Sequence, residues 1–144
     1  MTSRFINIPT VEARTRDALA ARLGRFDRLV EVGVGRRPEV AAALSPRATV
    51  IATDVVPCEV PHGVRFVVDD VTDPDPDVYV GADAIYALNL PPELHRPALD
   101  LAREHGAVFA FTTLGTDPAV VPVRPETLPG ETVFWASEAS PEQG

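Results

Sequence analysis

The stretch of residues 27–38 reads Asp-Arg-Leu-Val-Glu-Val-Gly-Val-Gly-Arg-Arg-Pro and decides the fold. Its apolar part, residues 29–32, predicts a buried strand. Gly33 and Gly35 predict a tight turn, because glycine tolerates sharp bends and lets a ligand approach the backbone closely. Pro38 suits the first turn of a following helix. A strand, a glycine turn and a helix start together form a frequent binding site for nucleotide-like ligands.

Three interpretations of this glycine turn remain open. Dinucleotide-binding turns follow Gly-x-Gly-x-x-Gly, and here Pro38 stands at the third glycine position. Class I S-adenosylmethionine-dependent methyltransferases carry an acidic residue, one spacer and Gly-x-Gly, a pattern that the segment Glu31–Gly35 resembles, with Arg37 where their last glycine usually stands. The turn could also only close a corner between strand and helix. Glu31 is an acidic residue at the end of an apolar strand, and this favours the interpretations in which the turn binds a ligand.

The chain around this turn alternates apolar runs with helical patterns. Five apolar runs predict buried strands, at residues 29–32, 49–53, 64–68, 84–88 and 107–111. Three stretches predict helices, at residues 10–23, 38–44 and 93–104. This alternation predicts an α/β, Rossmann-like domain with a mainly parallel sheet and helices on both faces.

Two segments depart from the alternation. Residues 72–77 contain two prolines and three aspartates, which predicts an exposed loop. Residues 120–124 and 132–136 are short apolar runs joined by Pro125 to Gly130. They predict a C-terminal antiparallel hairpin at the edge of the sheet.

Length and composition indicate one domain. The chain has 144 residues, of which 45% are hydrophobic. We expect a single domain, residues 1–144, with flexible tails at residues 1–9 and 138–144. No apolar run approaches the roughly eighteen residues of a membrane span, and the N-terminus lacks an apolar signal core, so we expect a cytoplasmic protein without membrane attachment. The one cysteine, Cys58, cannot form an internal disulfide, and no Cys/His cluster has the spacing of a metal site.

The charge is strongly acidic. Twenty-one acidic residues face 13 basic ones, for a net charge of −8, and every basic residue is an arginine. This balance argues against general binding of nucleic acid. It favours solubility in high salt, where self-repulsion is screened. We therefore expect a salt-loving source, with codon bias in a GC-rich genome as the alternative explanation.

Polar residues follow the predicted strands at their carboxyl ends, where ligands bind in open parallel sheets. Asp54 lies nineteen residues after Gly35, near the spacing of an acidic residue that binds ribose hydroxyls. Asp69 or Asp70, after the third strand, would match the amino group of adenine. Each aspartate could instead cap a turn. Asn89 follows the fourth strand.

Five segments occur together in an order that is similar to one family: Glu31–Arg36, Thr53–Val55, Asp69–Thr72, Gly81–Tyr86 and Pro91–His95. Over roughly residues 12–137 the chain resembles the archaeal uncharacterised protein family 0146, a short class I methyltransferase-like family without an assigned reaction. The resemblance implies a pocket for S-adenosylmethionine or S-adenosylhomocysteine. The residues implied in this pocket are Glu31, Gly33, Val34, Gly35, Asp54, Val55, Asp69, Asp70 and Val71.

Asn89 is the candidate catalytic residue. Methyltransferases that act on amino groups carry Asn or Asp followed by Pro-Pro and an aromatic residue. Here Leu90 intervenes before the two prolines, and Glu93 replaces the aromatic residue. The alternative is that the prolines only start a helix, with His95 on its surface. Members of the family that the chain resembles tend to carry a lysine at the position of Thr112.

These observations favour an S-adenosylmethionine-binding, methyltransferase-like protein of unknown substrate. The chain lacks the extra segments that usually form a substrate lid, so we expect a homodimer or a partner protein to complete the site. One alternative is a non-catalytic module that keeps the fold as a pseudoenzyme or regulatory subunit. Another is a nicotinamide-dinucleotide-binding domain.

The acidic composition predicts that salt stabilises the protein. Raising KCl from 0.1 to ~2 M shortens the Debye length from about 10 Å to below about 3 Å and screens the self-repulsion of eight excess negative charges. We expect the thermal midpoint to rise by at least ~4 °C, which corresponds to about 1 kcal/mol in a chain of this size. Differential scanning calorimetry measures it, and an unchanged midpoint would leave codon bias as the explanation.

Overall fold

The structure, a computed structural model, describes residues 10–136, and both predicted tails lie outside that range. One seven-stranded sheet has the order β3-β2-β1-β4-β5-β7-β6. Its strands are β1 Arg28–Val32, β2 Thr49–Asp54, β3 Arg65–Val68, β4 Ala84–Ala87, β5 Val108–Phe111, β6 Val123–Leu128 and β7 Glu131–Ala136. Strands β1 to β5 are parallel, whereas β7 is antiparallel to both of its neighbours. The predicted α/β fold with a C-terminal hairpin is confirmed.

Helices flank the sheet on both faces. They are α1 Val11–Leu23, α2 Glu39–Leu44, α3 Pro76–Tyr79 and α4 His95–Glu104, the last preceded by a 3₁₀ turn at Pro92–Leu94. Thr10 caps α1, and its hydroxyl oxygen accepts a hydrogen bond from the N–H of Ala13 at 2.9 Å. No helix among residues 10–136 is both long and apolar enough to cross a membrane.

The prediction of an exposed loop at residues 72–77 is partly wrong, because α3 begins inside it. Asp75 caps this single turn and accepts from the N–H of Asp77 at 3.0 Å, and Pro76 occupies the first helical turn. Tyr79, fully buried, anchors the turn to the core. The same Asp-Pro signals that mark loops also start helices, and only the buried tyrosine distinguishes the two.

Alternate residues of the central strands face two separate parts of the core. Leu29 of β1 and Tyr86 of β4 lie in the half that includes α1 and α2. Val30 and Ile85, one residue away in each strand, lie in the half that includes residues of α3 and α4. Both faces of the central sheet are therefore covered, as the apolar strands predict.

The C-terminal hairpin is longer than predicted. Pro125 lies inside β6 rather than in the turn, which falls at Pro129 and Gly130. Proline has no N–H to donate, but β6 is an edge strand, whose outer side needs no hydrogen-bonded partner. The predicted boundary at Pro125 was wrong for this reason.

The turn of the hairpin packs on α1, which gives a stability prediction. Gly130 has φ +75°, and a Cβ atom there would lie 2.6 Å from the Thr15 hydroxyl oxygen. Gly115 has a similar φ of +60° but open space around it. We expect Gly115→Ala to cost about 1 kcal/mol of unfolding free energy from the left-handed backbone alone, and Gly130→Ala to cost ~1–3 kcal/mol more from the clash. Denaturant unfolding of both variants tests this, and equal losses would contradict the packing.

Candidate functional site

The glycine turn after β1 leaves open space at the carboxyl edge of the sheet. Gly33 and Gly35 have φ values of +75° and +56°, in the left-handed region that favours glycine. A Cβ atom at either position would meet no atom within 4 Å beyond its chain neighbours. A ligand can therefore approach the backbone of both residues.

The amides of this turn point back into the protein. The N–H groups of Gly33 and Val34 both donate to the carbonyl oxygen of Thr53, at 2.9 Å each. The N–H of Gly35 donates to Oδ2 of Asp54 at 2.8 Å. Phosphate-binding turns direct successive N–H groups at the anion. With these three amides already used, the turn is poorly suited to a pyrophosphate, which disfavours the dinucleotide interpretation.

Asp54 joins the end of β2 to the turn after β1. Its Oδ2 accepts from Gly35, and its Oδ1 accepts from the N–H of Val55 at 2.7 Å. The side chain is only partly buried. A carboxylate offers about four lone-pair positions, so about two remain, one on each oxygen. That arrangement matches the two neighbouring hydroxyls of a ribose.

Asp69 and Asp70 differ in what their carboxylates contact. Asp69 accepts from the N–H of Asp75 at 2.9 Å and from the hydroxyl of Tyr79 at 2.6 Å, so both oxygens hold the protein together. Burial and the contact with Asp69 raise the pKa of Tyr79. Asp70 is exposed, and only its Oδ1 is used, by the N–H and the hydroxyl of Thr72. These two bonds lower the pKa of Asp70, and its Oδ2 has no partner within residues 10–136.

Three valines were implied in the pocket, and the structure separates them. Val55 is 61% exposed and lies beside Asp54. Val34 and Val71 are buried in the two halves of the core. Only the Val55 side chain is therefore placed to contact a ligand.

Glu31 does not reach the open edge, against the implied cofactor contact. Its side chain is 1% exposed, and its Oε1 accepts from the hydroxyl of Tyr86 at 2.7 Å. Glu31 and Tyr86 are register partners on β1 and β4 and point to the same face. Burial raises the pKa of Glu31 to about 8, and the negative charges of Glu39 and Asp54 add to this effect. Glu31 is a core residue beneath the turn, and its burial favours the protonated form.

Asn89 lies at the same edge, because β4 pairs with β1. It is exposed, and its φ of +54° is the one positive value of a non-glycine residue within residues 10–136. Its N–H donates to Oγ1 of Thr112 at 2.8 Å. The structure thus brings Asn89, Gly33, Gly35 and Asp54 to one edge.

His95 is fully buried, so its predicted place on the helix surface is wrong. Its Nδ1 accepts from the N–H of Val120 at 3.2 Å, which leaves Nε2–H to donate to the carbonyl of Leu90 at 3.0 Å. Its ring lies 4.4 Å from that of Phe111, centroid to centroid. The sequence held a signal for this burial, because His95 shares the i, i+3, i+4, i+7 spacing of the buried Ala98, Leu99 and Ala102.

No group of three or more His, Cys, Asp or Glu side chains is placed to hold a metal ion in the part of the chain that the structure describes.

Comparison with known proteins identifies relatives of the chain. The family model described as Uncharacterised protein family (UPF0146) matches residues 15–139. A UPF0146 protein of Halobacterium salinarum is 52% identical over 123 residues, which cover 84% of this chain and 95% of that protein. A UPF0146 protein of Archaeoglobus fulgidus is 48% identical over 81 residues, covering 56% of this chain and 62% of that protein. The expected archaeal family is confirmed, and its members include a protein of a salt-loving archaeon.

Solved methyltransferase structures share the fold. An RNA methyltransferase from Salinibacter ruber, in complex with S-adenosyl-L-homocysteine, superposes with a TM-score of 0.62 at 19% identity, covering 95% of this chain and 97% of that one. The N-methyltransferase NodS from Bradyrhizobium japonicum gives 0.60 at 13% identity, covering 89% and 97%. The predicted class I methyltransferase-like fold is confirmed.

The raised pKa of Glu31 predicts a pH-dependent stability. The unfolded chain releases this proton near pH 4.5, whereas the folded chain keeps it to about pH 8. The contribution of Glu31 to the unfolding free energy is therefore full below pH 4.5 and falls as the pH rises to 8, by about 1.4 kcal/mol per pH unit. Glu31→Gln removes this slope and retains an oxygen for the Tyr86 hydroxyl.

Denaturant unfolding of both proteins between pH 5 and pH 8 measures the effect. The difference between the wild type and Glu31→Gln isolates Glu31 from the other carboxyls. A pH-independent difference would show that Glu31 is ionised in its buried site.

Proposed function

Since this chain belongs to the uncharacterised protein family UPF0146 and has a class I methyltransferase-like fold, we propose that it binds S-adenosylmethionine and transfers its methyl group. S-Adenosylhomocysteine, the product, would occupy the same site. The observation that carries this proposal is the carboxylate of Asp54, which lies beside an open glycine turn with about two acceptor positions unused.

Each part of S-adenosylmethionine would contact a group of the protein at this site. The ribose hydroxyls would donate to Asp54, and the amino-acid arm would lie in the open space over Gly33 and Gly35. Adenine would contact the exposed Val55, with its amino group donating to Oδ2 of Asp70. A sulfonium ligand carries no phosphate, which suits a turn whose amides are already used.

The proposed reaction needs little from the protein beyond alignment. A lone pair on the acceptor attacks the methyl carbon, the carbon–sulfur bond breaks, and its electrons return to sulfur, which leaves as a neutral thioether. A proton on the acceptor passes to water. Holding donor and acceptor in line can supply much of such a rate. Asn89, exposed at the neighbouring strand end, is the residue proposed to contact the acceptor and the methyl group that is transferred to it.

A homodimer or partner protein is part of the proposal, because apolar side chains remain exposed at this edge. Val55 and Val56 after β2 are 61% and 55% exposed, and Leu114 after β5 is 65% exposed. A second chain packed on them would cover the open edge, where larger methyltransferases use extra segments. A non-catalytic module would bind the same ligand and show no transfer.

The main test replaces Asp54. A hydrogen bond to a charged group contributes about 1.5–3 kcal/mol, so Asp54→Ala should weaken binding of S-adenosylmethionine and S-adenosylhomocysteine by roughly ten- to hundredfold. Asp54→Glu keeps the acceptors and should lose less. Isothermal titration calorimetry in high KCl measures the three proteins, with NAD as the competing ligand.

Asp83→Ala is the matched control. Asp83 also accepts a hydrogen bond from a backbone N–H, that of Arg28, at 3.0 Å. It lies at the amino ends of the strands, however, away from the proposed site. We expect both alanine variants to lose about 1 kcal/mol of unfolding free energy and only Asp54→Ala to lose affinity. Tight binding by Asp54→Ala, or binding of NAD alone, would refute the assignment.

Cys58 gives a second readout of the same binding. It is the one cysteine of the chain. Asp54 raises the pKa of its thiol, and the backbone of Gly35 lowers it, so the thiol lies beside both residues. Partial burial and the negative charge of Asp54 raise the pKa of Cys58, so labelling is measured at pH 8 to 9. S-Adenosylhomocysteine should slow the reaction with a thiol reagent in the wild type and much less in Asp54→Ala.

A further inference from the structure

The parallel ladder between β4 and β5 continues beyond the last paired residues but takes up one extra residue. The N–H of Thr112 donates to the carbonyl of Ala87 at 3.0 Å, as the register of Ala87 with Phe111 requires. In a regular parallel ladder the carbonyl of Thr112 would then accept from Asn89. It accepts from Leu90 instead, at 2.9 Å. Residues 88 and 89 therefore form a bulge.

The hydroxyl oxygen of Thr112 accepts a hydrogen bond from the N–H group that this bulge displaces from the ladder. Asn89 loses its ladder partner and donates to Oγ1 of Thr112 at 2.8 Å. Thr112 is 2% exposed, so its hydroxyl bonds to the protein rather than to bulk solvent. The bulge also places Asn89 at φ +54°, in the left-handed region that asparagine adopts more readily than most residues other than glycine.

A second anchor fixes the far side of the bulge. The carbonyl of Leu90 accepts from Nε2 of His95, whose Nδ1 accepts from Val120. Both polar backbone groups of Leu90 are thus held, one by Thr112 and one by a fully buried imidazole. The Asn89 side chain, in contrast, is exposed at the edge that carries the glycine turn.

The geometry points to Thr112 as the positioning residue of the site: its hydroxyl holds the bulge that presents the carboxamide of Asn89 to the methyl group of the donor. Bulges beside active sites re-aim a side chain in this way. The inference rests on the proposed function, because it needs a methyl donor bound over Gly33 and Gly35.

The test uses S-adenosylmethionine labelled with ¹³C in its methyl group, which needs no knowledge of the acceptor. A sulfonium methyl group is polarised, so a carboxamide oxygen against it displaces its proton and carbon resonances from their values in free ligand. Asn89→Gly removes the carboxamide at no cost in φ. We expect it to lose most of the displacement, with calorimetric affinity for S-adenosylhomocysteine unchanged.

Three variants then test the contribution of the Thr112 hydroxyl. Thr112→Val, similar in shape but without the hydroxyl, should lose most of the displacement, and Thr112→Ser should retain it. Thr113→Val alters the next buried threonine and should match the wild type. Circular dichroism checks folding, and Thr112→Ala replaces Thr112→Val if the latter does not fold.

The double variant Asn89→Gly/Thr112→Val distinguishes positioning from a purely structural role. If Thr112 acts through Asn89, the double variant has the same methyl resonance as Asn89→Gly. A further change in the double variant, or a wild-type resonance in Thr112→Val, would overturn the inference while the proposed function stands. Absence of any binding to the wild type by calorimetry would refute the proposed function and the inference with it.

Discussion

The hydrogen bond between the carboxylate of Asp54 and the N–H of Gly35 connects the two strands on which the site depends. It fixes the glycine turn of β1 against the end of β2, and the carbonyl of Thr53 holds the preceding two amides. Three hydrogen bonds therefore hold the turn in place without a ligand, which lowers the ordering entropy that binding would cost. The same bond disfavours a phosphate-containing ligand at this turn, because it uses an amide that a phosphate would need.

Residue order and spacing predicted the architecture and the polar strand ends, because both are local properties of the chain. Asp54 follows an apolar run at the expected distance from Gly35, and the strand order places it beside the turn. Side-chain direction was harder to predict. Glu31 fits a motif in sequence, but the alternation of β1 points it into the core beside Tyr86. A motif specifies residue types and spacing, whereas burial depends on which face the neighbouring strands cover.

The arrangement around Asn89 could not be predicted for a different reason. It depends on the register of β4 against β5, and the residues involved lie 23 positions apart in the chain. No local pattern shows that Leu90 rather than Asn89 bonds to the carbonyl of Thr112. Asn89 itself offers one hint, since asparagine tolerates the left-handed conformation better than most residues. The sequence thus indicated the residue, and only the structure shows its conformation and its partner.

The acidic surface and the site place different demands on ligand recognition. Eight excess negative charges would attract a sulfonium cation over long distances in dilute salt. In the ~1 M salt that this composition favours, the Debye length is about 3 Å, so such steering is lost. Recognition must then come from groups within hydrogen-bond distance of the ligand. In the proposed site the group that binds the donor is Asp54, whose carboxylate two backbone amides hold at the carboxyl ends of the strands. A site of this kind keeps its affinity in strong salt because contact geometry, rather than net charge, selects the ligand.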